Sequence, residues 1–164
     1  MNHFIVFDTC LGWMGVVKSS VGLKSIILSE ASREGVLAKL KNEYNLIEDQ
    51  DSTDLRDLSQ RLRSYLVGES VEFIDKLDFR GVTYFQRRVL QMTQNIPYGE
   101  TRSYSWVAVQ LGSSRAARAV GQALARNPLP IVVPCHRVVN CNGGLGGFTC
   151  GLNVKQYLLG LESN

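Results

Sequence analysis

The chain has 164 residues, 45% apolar and 20% charged, the proportions of a soluble globular protein with room for one or two compact domains. No apolar run reaches membrane-spanning length, and the Met1-Asn2-His3-Phe4-Ile5 start lacks the features of a secretion signal, so no membrane association and a cytoplasmic site (nuclear in a eukaryotic source) are expected. Four cysteines without a C-x-x-C pair, and only His3 and His136 as imidazoles, argue against a disulfide framework and a structural metal.

The net charge of +3 is unevenly spread. Residues 1–79 hold 9 basic and 13 acidic side chains; residues 80–139 hold 8 basic and 1 acidic. All eight of those basic residues are Arg, the side chain suited to phosphate and base contacts. A nucleic-acid footprint and a solvated basic face are both consistent with the charge alone.

Short strands are predicted at 3–8, 13–18 and 21–29, rich in Val, Ile and Phe with turns at Gly12 and Gly22. Helical patterns follow at about 31–44 and 53–67, the second capped by Ser52. This is a small α/β unit with an antiparallel sheet, and it holds no catalytic constellation. The charge balance changes near Asp78 and Arg80, which sets a boundary between domains 1–78 and 79–164.

The second domain is predicted to be mostly helical. Thr83–Asn95 forms a helix with Tyr84, Val89 and Met92 toward one side, closed by the turn Ile96-Pro97-Tyr98-Gly99-Glu100. Ser103 can cap a helix over Tyr104–Leu111, Gly112 can end it, and Ser113 can cap another from Ser114 to about Arg126, a helix-turn-helix pattern. On the second helix Arg115, Arg118, Gln122 and Arg126 share one face, and Ala116, Val120, Ala123 and Leu124 the other. Asn127 follows, read either as a helix C-cap or as an orienting hydrogen-bond partner for what comes next.

What comes next is Ile131-Val-Val-Pro-Cys-His-Arg-Val-Val139. Pro134 closes an apolar extended run, and Cys135 stands between that wall and two groups able to stabilise a thiolate, His136 and Arg137. Asn140 to Gly151 is Gly-rich and suits the wall of a pocket or a plain loop. A last helix, Leu152 to Leu161, has an apolar arc of Leu152, Leu158 and Leu159; Glu162 falls within that arc, as a partner for His136 or as part of a frayed end.

The run Pro134-Cys-His-Arg-Val-Val139, preceded by Arg126-Asn-Pro128 and Arg115-Ala-Ala-Arg-Ala-Val-Gly121, resembles the O6-alkylguanine-DNA alkyltransferases. The likeness is strong over residues 80–162; the first 79 resemble only the family's variable N-terminal domain, RNase H-like in fold. It implies direct-reversal repair: an alkylated guanine is flipped out of double-stranded DNA and its alkyl group moves irreversibly to a cysteine, once per molecule. By position Cys135 is the acceptor, His136 its base through a water, Glu162 the group that orients the imidazole, and Asn127 a brace. Tyr104 gives a proton to the guanine and helps rotate the 3′ phosphate. Arg118 fills the vacated stack, with Arg115, Ser103, Ala119 and Gln122 as further DNA contacts. The Val138 carbonyl reads the exocyclic amine, the Thr149 N–H faces the guanine oxygen, and Phe148 forms a pocket wall. No cofactor is expected, and with no repeat or coiled coil in the sequence a monomer is expected. The alternatives are a non-catalytic damage-binding relative, which lacks the acceptor cysteine; a helix-turn-helix regulator, which leaves Cys135 unexplained; and a cysteine hydrolase, whose Cys and His usually come from separate elements.

Overall fold

A computed structural model of the chain describes residues 1–42 and 45–163, in two compact units, Met1–Asp78 and Phe79–Asn164. In unit 1, β1 (Asn2–Thr9), β2 (Gly12–Lys18) and β3 (Leu23–Glu30) form an antiparallel meander. The β1–β2 turn needs glycine: Gly12 has φ +111°, and a Cβ there would lie 2.7 Å from the Glu30 carbonyl oxygen. After α1 (Arg33–Leu40), β4 (Leu46–Glu48) joins the far side of β1 in parallel, giving the order β3-β2-β1-β4.

The sheet is therefore mixed, not antiparallel as expected. A three-residue strand flanked by polar residues carries too short a pattern to read. The helix expected over 31–44 is α1, ending at Leu40; positions 43 and 44 of that expectation lie outside the described residues. Ser32 caps α1 and Ser52 caps α2 (Thr53–Leu66), each accepting from the backbone three residues on.

Phe4 and Val6 pack with Val36 and Leu40 of α1, while Arg63 of α2 stacks over Phe7 on the other pleat. Covered on both faces, Phe4 to Phe7 are all buried and do not alternate.

Unit 2 holds α3 (Tyr84–Gln94), β5 (Arg102–Ser103), α4 (Tyr104–Gln110), α5 (Ala117–Ala125), a single 3-10 turn (Cys135–Arg137), β6 (Val138–Val139) and α6 (Leu152–Glu162). Its core includes Val89, Leu90, Val107, Ala108, Val120, Leu129, Val133 and Leu158.

Four local expectations change here. Tyr84 is 78% exposed, with Arg88 over its ring, so it is not on the apolar side of α3. α5 begins at Ala117, with no side-chain cap, because Ser113 to Ala116 is taken up by a turn; Arg115 therefore precedes the helix. Ile131 has φ +74°, which breaks the extended run into buried turns. Leu152 is 51% exposed, so the inner side of α6 is built from Val154, Lys155, Leu158 and Glu162.

Candidate active site

Three short elements bring the site together. β5 and β6 pair in parallel, Arg102 with Val138 and Ser103 with Val139, which ties the start of α4 to the residues just after the thiol. Ser103 caps α4 through the Trp106 N–H, so Tyr104 is the first helical residue beside that ladder. From α3, buried Gln86 donates to the carbonyls of Ala123 and Arg126 at the C-terminal end of α5. Gly121 of α5 passes the Tyr104 ring at ordinary contact distance.

Cys135 opens the 3-10 turn and is buried, with its sulfur-bearing residue lining a cavity of about 730 Å3. That volume falls within the roughly 300–1,000 Å3 typical of small-molecule sites. Arg118, Gly121 and Gln122 of α5, Tyr104 of α4, and Gly146 to Thr149 also line it. Burial pushes the Cys135 thiol up to about 11, while a hydrogen bond from Asn127 and the charge of Lys155 pull the other way. The resting thiol is therefore protonated at neutral pH.

His136 is fully buried, and its Nε2 lies 2.8 Å from Glu162 Oε1. Burial lowers its pKa; the hydrogen bond and charge of Glu162 oppose this. The imidazole is neutral at pH 7 and can accept a proton.

Glu162 is held from three directions. Arg137 donates Nε to Oε2 at 2.8 Å and Nη2 to Oε1 at 2.7 Å, and the Gly99 N–H reaches Oε2 at 3.4 Å. Arg137 also donates to the Ile96 carbonyl at 2.7 Å. Arg137, read from sequence as a stabiliser of the thiolate, is thus spent on the carboxylate instead.

Asn127 lies beyond α5, past its C-cap residue Arg126. It donates to the Val133 carbonyl and accepts from the Leu129 N–H, both at 2.9 Å, bracing the turns that lead to Cys135. Of the two sequence alternatives, the C-cap position falls to Arg126, not Asn127; a hydrogen bond from Asn127 lowers the Cys135 pKa, which is the contact the other alternative expected.

Tyr104 donates to the Gly147 carbonyl at 3.4 Å, and burial raises its pKa. The Thr149 hydroxyl donates to the Ala125 carbonyl, pinning the cavity wall to the end of α5. Arg118, Ala119 and Gln122 are exposed on α5, Arg115 is exposed just before it, and Ser103 is half-buried as the α4 cap. Of these five, only Arg118 and Gln122 line the cavity. Val138 is buried and does not line the cavity.

Sequence reasoning missed Lys155. It is fully buried and donates Nζ to the carbonyls of Val138 (2.7 Å), Leu145 and Gly147 (3.3 Å), and to the Tyr104 hydroxyl (3.4 Å). The available signal was a lysine one position after Val154, on the arc that also carries Leu158.

Comparison with known proteins fits this arrangement. Residues 84–164 match the family model described as 6-O-methylguanine DNA methyltransferase, DNA binding domain. A methylated-DNA–protein-cysteine methyltransferase of Mycolicibacterium paratuberculosis is 54% identical over 103 residues; the match spans 63% of this chain and 62% of that one, less than two thirds of its length. The crystal structure of Mycobacterium tuberculosis OGT in complex with DNA superposes with a TM-score of 0.83 at 38% identity, covering 98% of this chain and 92% of that one. The O6-methylguanine-DNA methyltransferase of Pyrococcus kodakaraensis gives 0.75 at 29% identity, covering 98% and 99%. A Methanosarcina acetivorans relative is 36% identical over 162 residues, 99% of both chains. With likeness running the full length of both sequences, the chain belongs to the methylated-DNA–protein-cysteine methyltransferase family.

Proposed function

We propose that this protein repairs O6-alkylguanine in double-stranded DNA by taking the alkyl group onto Cys135, as a monomer, without a cofactor and once per molecule. Family membership gives the reaction in outline, direct-reversal DNA repair by alkyl transfer. The observation that carries the assignment to Cys135 is its place: it is the buried thiol of a cavity large enough for a base, followed directly by an imidazole bonded to a buried carboxylate.

A thiol held near 11 needs a base. His136 supplies it. With Nε2–H donating to Glu162, proton exchange falls to Nδ1, and the thiol proton reaches it through a water. Glu162, fixed by Arg137, stabilises the imidazolium that forms. The sulfur then attacks the alkyl carbon as the bond to guanine O6 breaks. Tyr104, protonated because burial raises its pKa, gives its proton to the departing guanine ring and steers the 3′ phosphate. The product is a thioether, which is too poor a leaving group to regenerate the thiol.

The helix-turn-helix reading belongs here as well. α4, the 111–116 turn and α5 lie against duplex DNA, Arg118 enters the gap left by the flipped base, and Arg115, Ser103, Ala119 and Gln122 meet the backbone nearby. What supports this is the exposed arginine side of α5 at the cavity mouth and the likeness to a structure that holds DNA. The Val138 carbonyl and the Thr149 N–H recognise the guanine edge, and Phe148 forms the wall. The strand order of unit 1, with β4 parallel to β1 after three antiparallel strands, supports an RNase H-like reading of that unit. No helix among the described residues is long and apolar enough to cross a membrane. The place of action is that of the DNA: cytoplasmic, or nuclear in a eukaryotic source.

The test is stoichiometric. Excess O6-methylguanine duplex is mixed with a known amount of protein, and repaired guanine is counted. One repaired base per molecule, and none with Cys135→Ser, is the expected result; repair that continues past equivalence would overturn the single-use scheme.

A further inference from the structure

We infer that Lys155 is the positioning residue of the guanine pocket: its buried ammonium gathers one wall of the cavity and the Tyr104 hydroxyl around a single charge. This rests on the function proposed above and adds a residue to it. Three of the four acceptors are backbone carbonyls, Val138, Leu145 and Gly147, spread across the segment that follows the thiol turn. The fourth is the phenol oxygen of Tyr104 at 3.4 Å. A Gly-rich segment has little side-chain packing with which to hold a shape. Here one cation satisfies several of its carbonyls, from a helix that the segment itself leads into.

The arrangement sets both recognition and proton delivery. A carbonyl has two acceptor sites, so the Val138 oxygen can take the Lys155 proton and still face a guanine amine. By donating to the Tyr104 oxygen, the ammonium orients the phenol hydrogen outward from itself; that hydrogen rests on the Gly147 carbonyl at 3.4 Å, a long contact that it can exchange for a guanine acceptor. Removing the charge leaves carbonyls turned inward with no donor, and the wall must rearrange to find one.

The same charge carries a pH consequence. Burial lowers the Lys155 pKa to about 8, and the Cys135 thiol opposes that shift when ionised. The titratable groups facing it are Tyr104 from α4, and Cys135 and His136 from the 3-10 turn. Tyr104 and Cys135 both have raised pKa values, and His136 is already neutral, so none of the three loses a proton near pH 8. Ionisation of the thiol would speed transfer as pH rises. A fall in rate above about pH 8 therefore reports the loss of the Lys155 proton.

The experiment measures single-turnover methyl transfer from an O6-methylguanine duplex across the alkaline range, for the parent, Lys155→Arg and Lys155→Met. The parent is expected to slow above about pH 8. Lys155→Arg, slower than the parent at neutrality, is expected to keep its rate through that range because a guanidinium holds its proton. Lys155→Met is expected to lose about tenfold or more in transfer while duplex affinity changes little, a barrier difference of about 1.4 kcal/mol. A Lys155→Arg profile that falls with the parent's, or a folded Lys155→Met protein with the parent's rate, overturns the inference. If Lys155→Met does not fold, the Lys155→Arg profile decides alone. A parent that leaves Cys135 unmodified is a different failure, that of the proposed function itself.

Discussion

Arg137 and Glu162 meet in a two-pronged contact, Nε to Oε2 at 2.8 Å and Nη2 to Oε1 at 2.7 Å, and the Oε1 of that pair is also the atom that holds His136 at 2.8 Å. One buried carboxylate thus joins the end of α6 to the thiol turn. Its charge is balanced by a guanidinium, and its geometry is passed on to an imidazole.

Glu162→Gln should damage both jobs. The amide cannot accept the Arg137 fork in the same way, and truncating one side of a buried pair typically costs about 3–5 kcal/mol. Retention of some hydrogen bonding by Gln places this variant nearer the lower end. Denaturant unfolding should show that loss, and methyl transfer should slow under conditions where the variant remains folded. A variant with the parent's transfer rate would remove Glu162 from the mechanism.

The stability of the protein should fall as pH drops below the ordinary histidine range. Burial depresses the His136 pKa, so the unfolded chain takes up a proton at a pH where the folded protein does not. The contribution of the neutral buried ring is complete above an unfolded value of about 6.5 and declines as pH falls through the folded value. Unfolding midpoints measured on either side of that value should differ less in a His136→Gln variant. Equal pH dependence in the two proteins would contradict the assigned cause.

Asn127→Ala should act on the thiol without touching DNA. It removes the bond to the Val133 carbonyl and strands the Leu129 N–H, at a cost of about 1–3 kcal/mol in unfolding free energy. It also removes the hydrogen bond that lowers the Cys135 pKa, so the thiol should titrate higher. Thiol absorbance against pH checks the second effect. An unshifted titration would mean that Asn127 supports only the backbone.

Arg118→Ala should separate extrusion from chemistry. The side chain is exposed at the rim of the cavity, away from the His136–Glu162 pair. Repair of duplex DNA should drop by about tenfold or more, because base unstacking costs a few kcal/mol that an inserted side chain offsets. Reaction with free O6-benzylguanine should change little. Equal losses with both substrates would place Arg118 in the chemical step instead.

Gly146→Ala should crowd Tyr104. Gly146 has φ +70°, and a Cβ there would lie 2.6 Å from the Tyr104 hydroxyl. Strain of this kind costs of the order of 1 kcal/mol, and the phenol must also move. Slower transfer with nearly normal duplex affinity is expected. An unchanged rate would show that the phenol's position is not critical.

Much of the candidate site was legible because its chemistry is packed into contiguous residues. Cys135, His136 and the Glu162 partnership could be argued from residue type and from the scarcity of histidines. Arg118 and Gln122 followed from helical spacing and fall where that spacing puts them, although α5 starts three residues later than its serine signal suggests. The short strands depend on contacts that no local pattern contains. The β5–β6 pair is two residues long in each strand, and β4 is three, so neither has a period to detect. Lys155 has the residue type of a surface position, and helical spacing hints only that it faces inward; the carbonyls of Val138, Leu145 and Gly147 that explain its burial come from the fold. Arg137 was misassigned for a related reason: adjacency in sequence suggested the thiol, whereas the turn sends its guanidinium to Glu162.

The central claim is that the alkyl group ends on one sulfur. Duplex DNA carrying O6-methylguanine is incubated with the protein, and the masses of its peptides are mapped across all four cysteines, Cys10, Cys135, Cys141 and Cys150. A single methyl group on the peptide bearing Cys135, in step with the disappearance of O6-methylguanine, is the predicted result. Methyl on another cysteine, or repaired DNA with every cysteine unmodified, would contradict it.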